Sequence, residues 1–358
     1  MVKSRKTINA KRVFKIAHLH VWDKNNKGDV AIVLAVQELL KKNFPGCKIL
    51  DFPVQLLKDG TIQDARRINQ ADFVVIGGGG IFYSYFLPYN KEFIKSIIKP
   101  IIIFGAGYIK EVDAPELKLE SAASVAYLAK QARLVGVRDN NTKKFLVKHG
   151  VPTQKIEVVG DPAALLSEKK SNKFLMKKKG VIRIGLNLNY SGWLGFGKWH
   201  DDILNAYRAT AEYFQKEYDG KNNQSVEIYY LKHHPGENKI YPELKIKGLK
   251  VVDLKPSEQK YVYGKLDLVI GMMLHVGVMA FGAGTPEISV AYDLRNYSFA
   301  DFIGHPELVV DLDKLKKGEL LKRVKMVFAQ KNNYRKKFAN LKVKIATKQN
   351  SFLNCDIM

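Results

Sequence analysis

Apolar and polar positions along the 358-residue chain fall into two series. In the first, short continuous apolar runs lie near 14–20, 48–52, 73–76, 101–105, 134–137 and 157–159. Between them, segments 30–42, 61–69, 91–98, 116–131 and 141–149 place apolar residues every three or four positions, the spacing of a helix with one buried face. Consecutive apolar residues suit strands covered on both faces, so the alternation predicts a doubly wound parallel sheet. Residues 167–179 then turn to serine, asparagine and lysine, which reads as a linker. After it the alternation restarts at 181–187 and continues with strands near 226–231, 251–252, 268–270 and 288–291. Segment 313–346 carries Leu315, Leu320, Leu321, Val324, Val327, Phe328, Phe338 and Leu341, the spacing of one or two helices. The expected division is a first domain at 1–166, the linker, a second domain at 180–312 and a basic helical segment at 313–358.

Two strand endings almost two hundred residues apart are nearly the same: Ala71-Asp72-Phe73-Val74-Val75-Ile76-Gly77-Gly78 and Leu266-Asp267-Leu268-Val269-Ile270-Gly271. In each, an aspartate precedes a buried strand that stops at glycine, where the backbone can turn and approach a ligand. Ligands of open α/β sheets bind at the carboxyl ends of the strands. The fold class expected is therefore α/β, with two Rossmann-like domains facing a cleft that holds the active site.

The formal net charge of +24 changes this picture in one respect. Lysines cluster at Lys169, Lys170, Lys173, Lys177, Lys178 and Lys179 and again beyond Lys314, an excess that attracts phosphorylated substrates, nucleic acid or an anionic membrane face. A general lysine bias of the source is the competing account. Two cysteines, Cys47 and Cys355, build no disulfide framework, and no cysteine–histidine spacing predicts a metal site. The apolar stretch 13–21 is interrupted by Lys15, His18 and His20, unlike a secretory signal, and no apolar run is long enough to span a bilayer. The expectation is a cytoplasmic protein.

Four places carry candidate chemistry. Asn25-Asn26-Lys27-Gly28-Asp29 precedes a helix, whose free N–H groups hold anions, with Asp29 as a base or as a mere cap. Gly77-Gly78-Gly79-Gly80 reads as a ligand-approach loop, yet it is neither a dinucleotide fingerprint nor a P-loop, since Ile81, Phe82 and Tyr83 follow. Gly136-Val137-Arg138-Asp139 puts a guanidinium at a strand end, available to a carboxylate or phosphate or paired with Asp139 or Asp161. Gly271-Met272-Met273-Leu274-His275 places a histidine at a helix start, where it can donate a proton, and Tyr292-Asp293-Leu294-Arg295 adds a cation. His233 and His234, beside Pro235, read equally well as loop-shaping residues.

In order and placement, Asn26-Lys27-Gly28-Asp29, the glycines 77–80, Gly136-Val137-Arg138-Asp139, Gly160-Asp161-Pro162-Ala163 and Leu274-His275 with Tyr292-Asp293 resemble the polysaccharide pyruvyl transferase family. The resemblance implies a fold like that of GT-B glycosyltransferases and transfer of pyruvate from phosphoenolpyruvate onto a glycan or lipid-linked saccharide as a ketal. That chemistry assigns His275 as acid and Asp29 as base, and Arg138 and Arg295 as holders of the donor. Asn26, Gly28, Gly78, Gly79, Gly80 and Asp161 would line the acceptor side of the cleft. It asks for no cofactor and no metal, and no nucleic-acid partner; a lipid-linked acceptor would bring peripheral contact with an anionic membrane. The family usually carries arginine two residues before this histidine, where the chain has Met273. The departure keeps two alternatives in view: a nucleotide-sugar glycosyltransferase and a sugar-binding relative without catalysis.

Overall fold

The computed structural model describes residues 13–111, 114–172, 180–189, 197–221 and 224–355. Twelve strands form two six-stranded parallel sheets. The first contains β1 (Lys15–His20), β2 (Lys48–Pro53), β3 (Phe73–Phe82), β4 (Ile101–Tyr108), β5 (Leu134–Val137) and β6 (Ile156–Val158), in the order β2-β1-β3-β4-β5-β6. The second contains β7 (Val181–Leu186), β8 (Ser225–Leu231), β9 (Lys250–Val252), β10 (Leu268–Gly271), β11 (Glu287–Ala291) and β12 (Val309–Asp311), in the order β12-β11-β10-β7-β8-β9. The direction of winding reverses between β1 and β3 in one sheet and between β7 and β10 in the other. Such reversals open the crevices in which α/β proteins bind ligands.

The repeated aspartate now has a physical role. Asp72 Oδ2 accepts from the backbone N–H of Lys15 at 2.8 Å, and Asp267 Oδ2 accepts from that of Arg183 at 2.9 Å. Each aspartate also donates its own N–H to the carbonyl of that same residue at 2.7 Å. In both halves the pair fastens the start of the strand across the switch point, β1 or β7, and so sets its register.

The glycine run departs from expectation. It is no loop: β3 continues through it to Phe82, with every residue buried and a register shift against β4 between Gly79 and Phe82. The positive φ angles of Gly77 (146°), Gly78 (79°) and Gly79 (111°) let the strand bulge and stay paired, at a backbone conformation that side chains disfavour. A Cβ on Gly78 would stand 3.3 Å from Val36, and one on Gly79 3.3 Å from Val21, so both glycines pack below the helix Lys27–Asn43.

Several elements have no counterpart in the sequence expectations: β12 and the helices Gly197–Tyr218, Pro256–Tyr263 and Leu294–Phe302. The expected linker is described only as far as residue 172; residues 173–179, with Lys173, Lys177, Lys178 and Lys179, lie outside the described residues. The closing segment forms helices Glu319–Ala329 and Lys331–Leu353. The last one crosses from one half to the other. Arg335 donates to the carbonyl of Leu266 in the second half, whereas Gln349 donates to that of Val159 in the first at 3.2 Å. Phe352 stacks on Phe104 at 5.8 Å inside the first core. A further tie is Lys260, fully buried, whose ammonium donates to the carbonyls of Ala164 and Leu166 at 2.7 Å each; burial lowers its pKa to about 7. Among the described residues no helix is long and apolar enough to cross a membrane.

Candidate active site

Two helix starts meet where the sheets face each other. The first is that of Lys27–Asn43, capped by Asn26, whose side chain accepts from the N–H groups of Gly28 at 3.0 Å and Asp29 at 3.4 Å. Asp29 therefore does not cap the helix; it stands in the first turn with its carboxylate on the cleft. Lys27 holds this start to the other half. Its backbone N–H donates to the His233 carbonyl at 3.0 Å, and its ammonium reaches the Lys232 carbonyl and Asp253 at 2.7 Å and Gln259 at 3.0 Å.

The second start is that of Leu274–Gly282, a helix with every residue buried. Met273 occupies its N-cap position without a side-chain cap, and the Met273 N–H instead donates to Asn187 Oδ1 at 3.3 Å. Asn187 follows β7 and is fixed by bonds from its amide to the Leu231 carbonyl and to Glu237. The polar Asn187-Leu188-Asn189 directly after an apolar strand was the sequence signal for this support, and Asn189 lines the cleft.

His275 lies directly on Gly28. A Cβ at Gly28 would stand 2.4 Å from His275 Nδ1, so only glycine admits the imidazole there. Behind the ring, Asp161 Oδ2 is 3.8 Å from His275 Nε2 and 3.6 Å from Arg138 Nη1. The other oxygen of Asp161 caps its own turn through Ala163 N–H at 2.9 Å. Arg138 Nε points at Asp139 at 3.4 Å, and its guanidinium lies against Gly107, where a Cβ would meet Nη2 at 2.4 Å. Arg138 Nη1 and Nη2, Asp161 Oδ2 and His275 Nε2 are all buried without a protein hydrogen-bond partner among the described residues. Buried polar groups rarely remain so, and a cluster of them marks a place where a ligand or chemistry is served.

Electrostatics sharpen the arrangement. Burial, reinforced by the charges of Arg138 and Arg295, holds the pKa of His275 well below the usual histidine range, so the resting imidazole is neutral. Burial acts in the opposite sense on Asp29, which with help from Asp23 is pushed up to about 7 despite Arg295 and Arg138. Asp161 is likewise raised by burial against the pull of Arg138. Arg295 is tied to Asp293, whose side chain caps the helix Leu294–Phe302, and also reaches Tyr292 Oη at 3.3 Å.

The resulting cleft, about 210 Å³, is lined by Asn26, Asp29, Gly80, Met273, His275 and Arg295 among the residues expected from sequence. Tyr292, part of the motif that carries Arg295, lines it too, and Tyr83, Tyr85, Phe86, Glu111 and Asn189 line it without having been foreseen. Gly28, Gly78, Gly79, Arg138 and Asp161 are not on its wall. Gly28 makes room for His275, the other two glycines pack under a helix, and Arg138 and Asp161 form the buried layer behind the imidazole. His233 and His234 shape a loop: His233 bonds Tyr263 at 2.7 Å and His234 accepts from Gly236 N–H at 3.0 Å. One trio among the described residues, His18, His20 and Asp51, has metal-capable atoms within 4.8 Å of one another. Hydrogen bonds account for it, since His18 bonds the Gly77 carbonyl and Asp51 Oδ1 receives both His20 and Gln37.

The sequence profile of the polysaccharide pyruvyl transferase family matches residues 26–293, from the cap of the first helix to the aspartate that holds Arg295. The chain belongs to that family. No curated protein matches it. Among solved structures, Anabaena HepE, crystallised with UDP and glucose, is similar over 95% of this chain and 97% of its own, with a TM-score of 0.55 and 12% identity. Staphylococcus aureus MnaA, crystallised with UDP, covers 91% of both chains at a TM-score of 0.59 and 10% identity. A UDP-N-acetylglucosamine 2-epimerase-like protein of Listeria monocytogenes gives 0.58 and 13%, over 92% of this chain and 91% of its own. At these identities the likeness is one of fold, and it makes this pyruvyl transferase family member GT-B-like.

Proposed function

We propose that the protein transfers pyruvate from phosphoenolpyruvate to a sugar of a glycan, as a ketal, with release of phosphate. The observation that carries this reading is His275 laid on Gly28 at the meeting of two helix starts, within the field of Arg138 and Arg295. The reaction adds a proton to the donor's methylene carbon and joins a sugar hydroxyl to the adjacent carbon. The carbon–oxygen bond to phosphate then breaks, and a second hydroxyl of the sugar closes the ketal, its proton leaving on the phosphate. The donor's carboxylate and phosphate are matched by the Arg295 guanidinium and the N–H groups of the helix starts, while Arg138, behind the imidazole, adds positive field without lining the cleft. Burial is the larger cause of the lowered His275 pKa and the cationic field the smaller; the donor's negative charge offsets the second, so its binding shifts the imidazole toward the protonated form. Asp29, with a pKa near neutrality, accepts the proton of the attacking hydroxyl.

Incubation with phosphoenolpyruvate and a panel of glycan acceptors, following phosphate release and a pyruvyl mass increment on the glycan, tests the proposal. Calorimetry that detects no phosphoenolpyruvate binding in the presence of acceptor would overturn it. A second reading, nucleotide-sugar transfer, draws support from Met273, where the family's usual cation is absent, and from the UDP held by HepE and MnaA. Competition separates the two: UDP that inhibits while phosphoenolpyruvate has no effect favours the second.

A further inference from the structure

Beside the cleft lies a second concavity of about 310 Å³, walled entirely by the first half: the end of β1, the helix Lys27–Asn43 and Asp51 of β2. Trp22 is its most conspicuous wall. Although it directly follows the buried end of β1, its indole is 42% exposed. It stacks on His20 with ring centres 5.1 Å apart and planes 14° from parallel. His20 is itself held by Nδ1 to the Val21 carbonyl at 2.6 Å and by Nε2 to Asp51 at 3.1 Å. The Lys24 ammonium stands 5.8 Å from the centre of the indole, so the platform is braced by His20 and a sugar lying on it takes the place of the Lys24 side chain.

Around it stand Leu34 from the helix and the polar groups of Asp23, Lys24, Gln37 and Asp51. Three carboxylates, those of Asp23, Asp29 and Asp51, against the ammonium of Lys24 disfavour an anionic ligand such as a nucleoside diphosphate. They are acceptors for hydroxyl groups. A flat ring face for C–H groups and carboxylates for hydroxyls are together what a neutral sugar presents a match for. The volume sits at the lower end of the roughly 300–1,000 Å³ of small-molecule sites, room for a single sugar unit. Val21 and Asp29 belong to both concavities, so a ring lying on Trp22 borders the carboxylate that faces His275.

We propose that this concavity is the acceptor subsite: a neutral sugar ring stacks on Trp22 and presents its hydroxyl to the cleft past Asp29. The proposal rests on the glycan-transfer reading and gives it a location. Trp22→Ala is expected to raise the acceptor KM by about tenfold or more, with the donor KM unchanged, and Trp22→Phe to restore most of the affinity. Leu34→Arg, a change on the exposed helix surface, is expected to act in the same direction by filling the concavity and pairing with its carboxylates, and it decides the matter if Trp22→Ala does not fold. Calorimetry with maltose, cellobiose, lactose and N,N′-diacetylchitobiose, without donor, provides a readout independent of turnover. The expected result is binding by wild type and its loss in both disruptive variants. Equal acceptor KM and equal saccharide binding in wild type and folded variants would overturn the subsite while leaving pyruvyl transfer intact. Failure of wild type to bind any panel saccharide would overturn it too. If the donor proves to be a nucleotide sugar instead, pyruvyl transfer falls, and the same comparison of acceptor KM still decides on Trp22.

Discussion

The two helix starts that meet at the cleft share a backbone plan and differ in almost every chemical respect. That of Lys27–Asn43 is polar and accessible: Asn26 caps it, Asp29 stands half-buried in its first turn, and the exposed Trp22 lies just ahead of it. That of Leu274–Gly282 is dry: Met273 provides no side-chain cap, and His275 is buried together with the whole helix. The arginines differ in the same manner. Arg295 is tightly paired with Asp293, whereas Arg138, deep in the first half, touches Asp139 and Asp161 only at 3.4 and 3.6 Å. The difference teaches a division of labour in which a fixed, desolvated group from one half works against a titratable, solvent-reached group from the other. Desolvation acts on the two in opposite senses, taking the histidine well below its usual range and raising the carboxyl to about 7.

The comparison breaks most visibly at His275. His275→Ala is expected to lower turnover by about two to four orders of magnitude with donor affinity mostly retained. Gly28→Ala sharpens the point, since its methyl group must displace the imidazole that a Cβ would meet at 2.4 Å. Steady-state kinetics should show most of the same loss although every ionisable group remains. Full activity in Gly28→Ala would mean that the contact between the two starts is not used.

Next in size is the contrast between arginines. Arg138→Met should weaken phosphoenolpyruvate binding by about tenfold or less, as loss of a charge that acts from behind the imidazole without contact does, measured by calorimetry. Met273→Arg places a cation at the N-cap of the dry helix. If Arg295 already balances the donor, affinity should change little. A large gain would show that the second half lacks a charge its chemistry wants.

The smallest effect is one of stability. Asp29 is raised to about 7 in the fold against 3.8 ordinarily, so the fold binds a proton that the unfolded chain releases. Its contribution is therefore present at low pH and is lost as pH rises through 7. Asp29→Asn should raise the melting temperature by about 2–4 °C at pH 8, by less near pH 5, and leave it unchanged below pH 3.8, while turnover falls. His275 works with the opposite sign: its pKa is depressed below 6.5, so stability present above that pH is lost as pH falls. His275→Asn should accordingly reduce the acid sensitivity of thermal unfolding. An unchanged pH profile in both variants would remove the electrostatic contrast.

Much of this was legible in the chain because buried parallel strands write themselves as continuous apolar runs. The two aspartate-led strand endings located both switch points, and Asn26, Asp29, His275 and Arg295 converge from them on one cleft. What was hidden depended on tertiary neighbours. A run of four glycines looks like a loop, and nothing local reveals that β4 keeps β3 paired through it. Trp22 was overlooked because one aromatic residue after a strand says nothing about whether it is covered; its exposure follows from where β2 and the helix happen to lie. Short β12 escaped notice because Val309 and Val310 alone make too brief a run to stand out.

The crossing of the last helix has a consequence for biosynthesis. Phe352 and Leu353 complete a core otherwise built from Ile16, Val36, Phe73, Val75 and Phe104, residues made first. Although domains generally fold as they leave the ribosome, starting from the amino end, the first core here stays unfinished until Phe352 and Leu353 are translated. A nascent chain stalled after β12 would carry a complete second sheet and an uncovered apolar patch on the first. Its hold on chaperones should end only when the helix Lys331–Leu353 emerges.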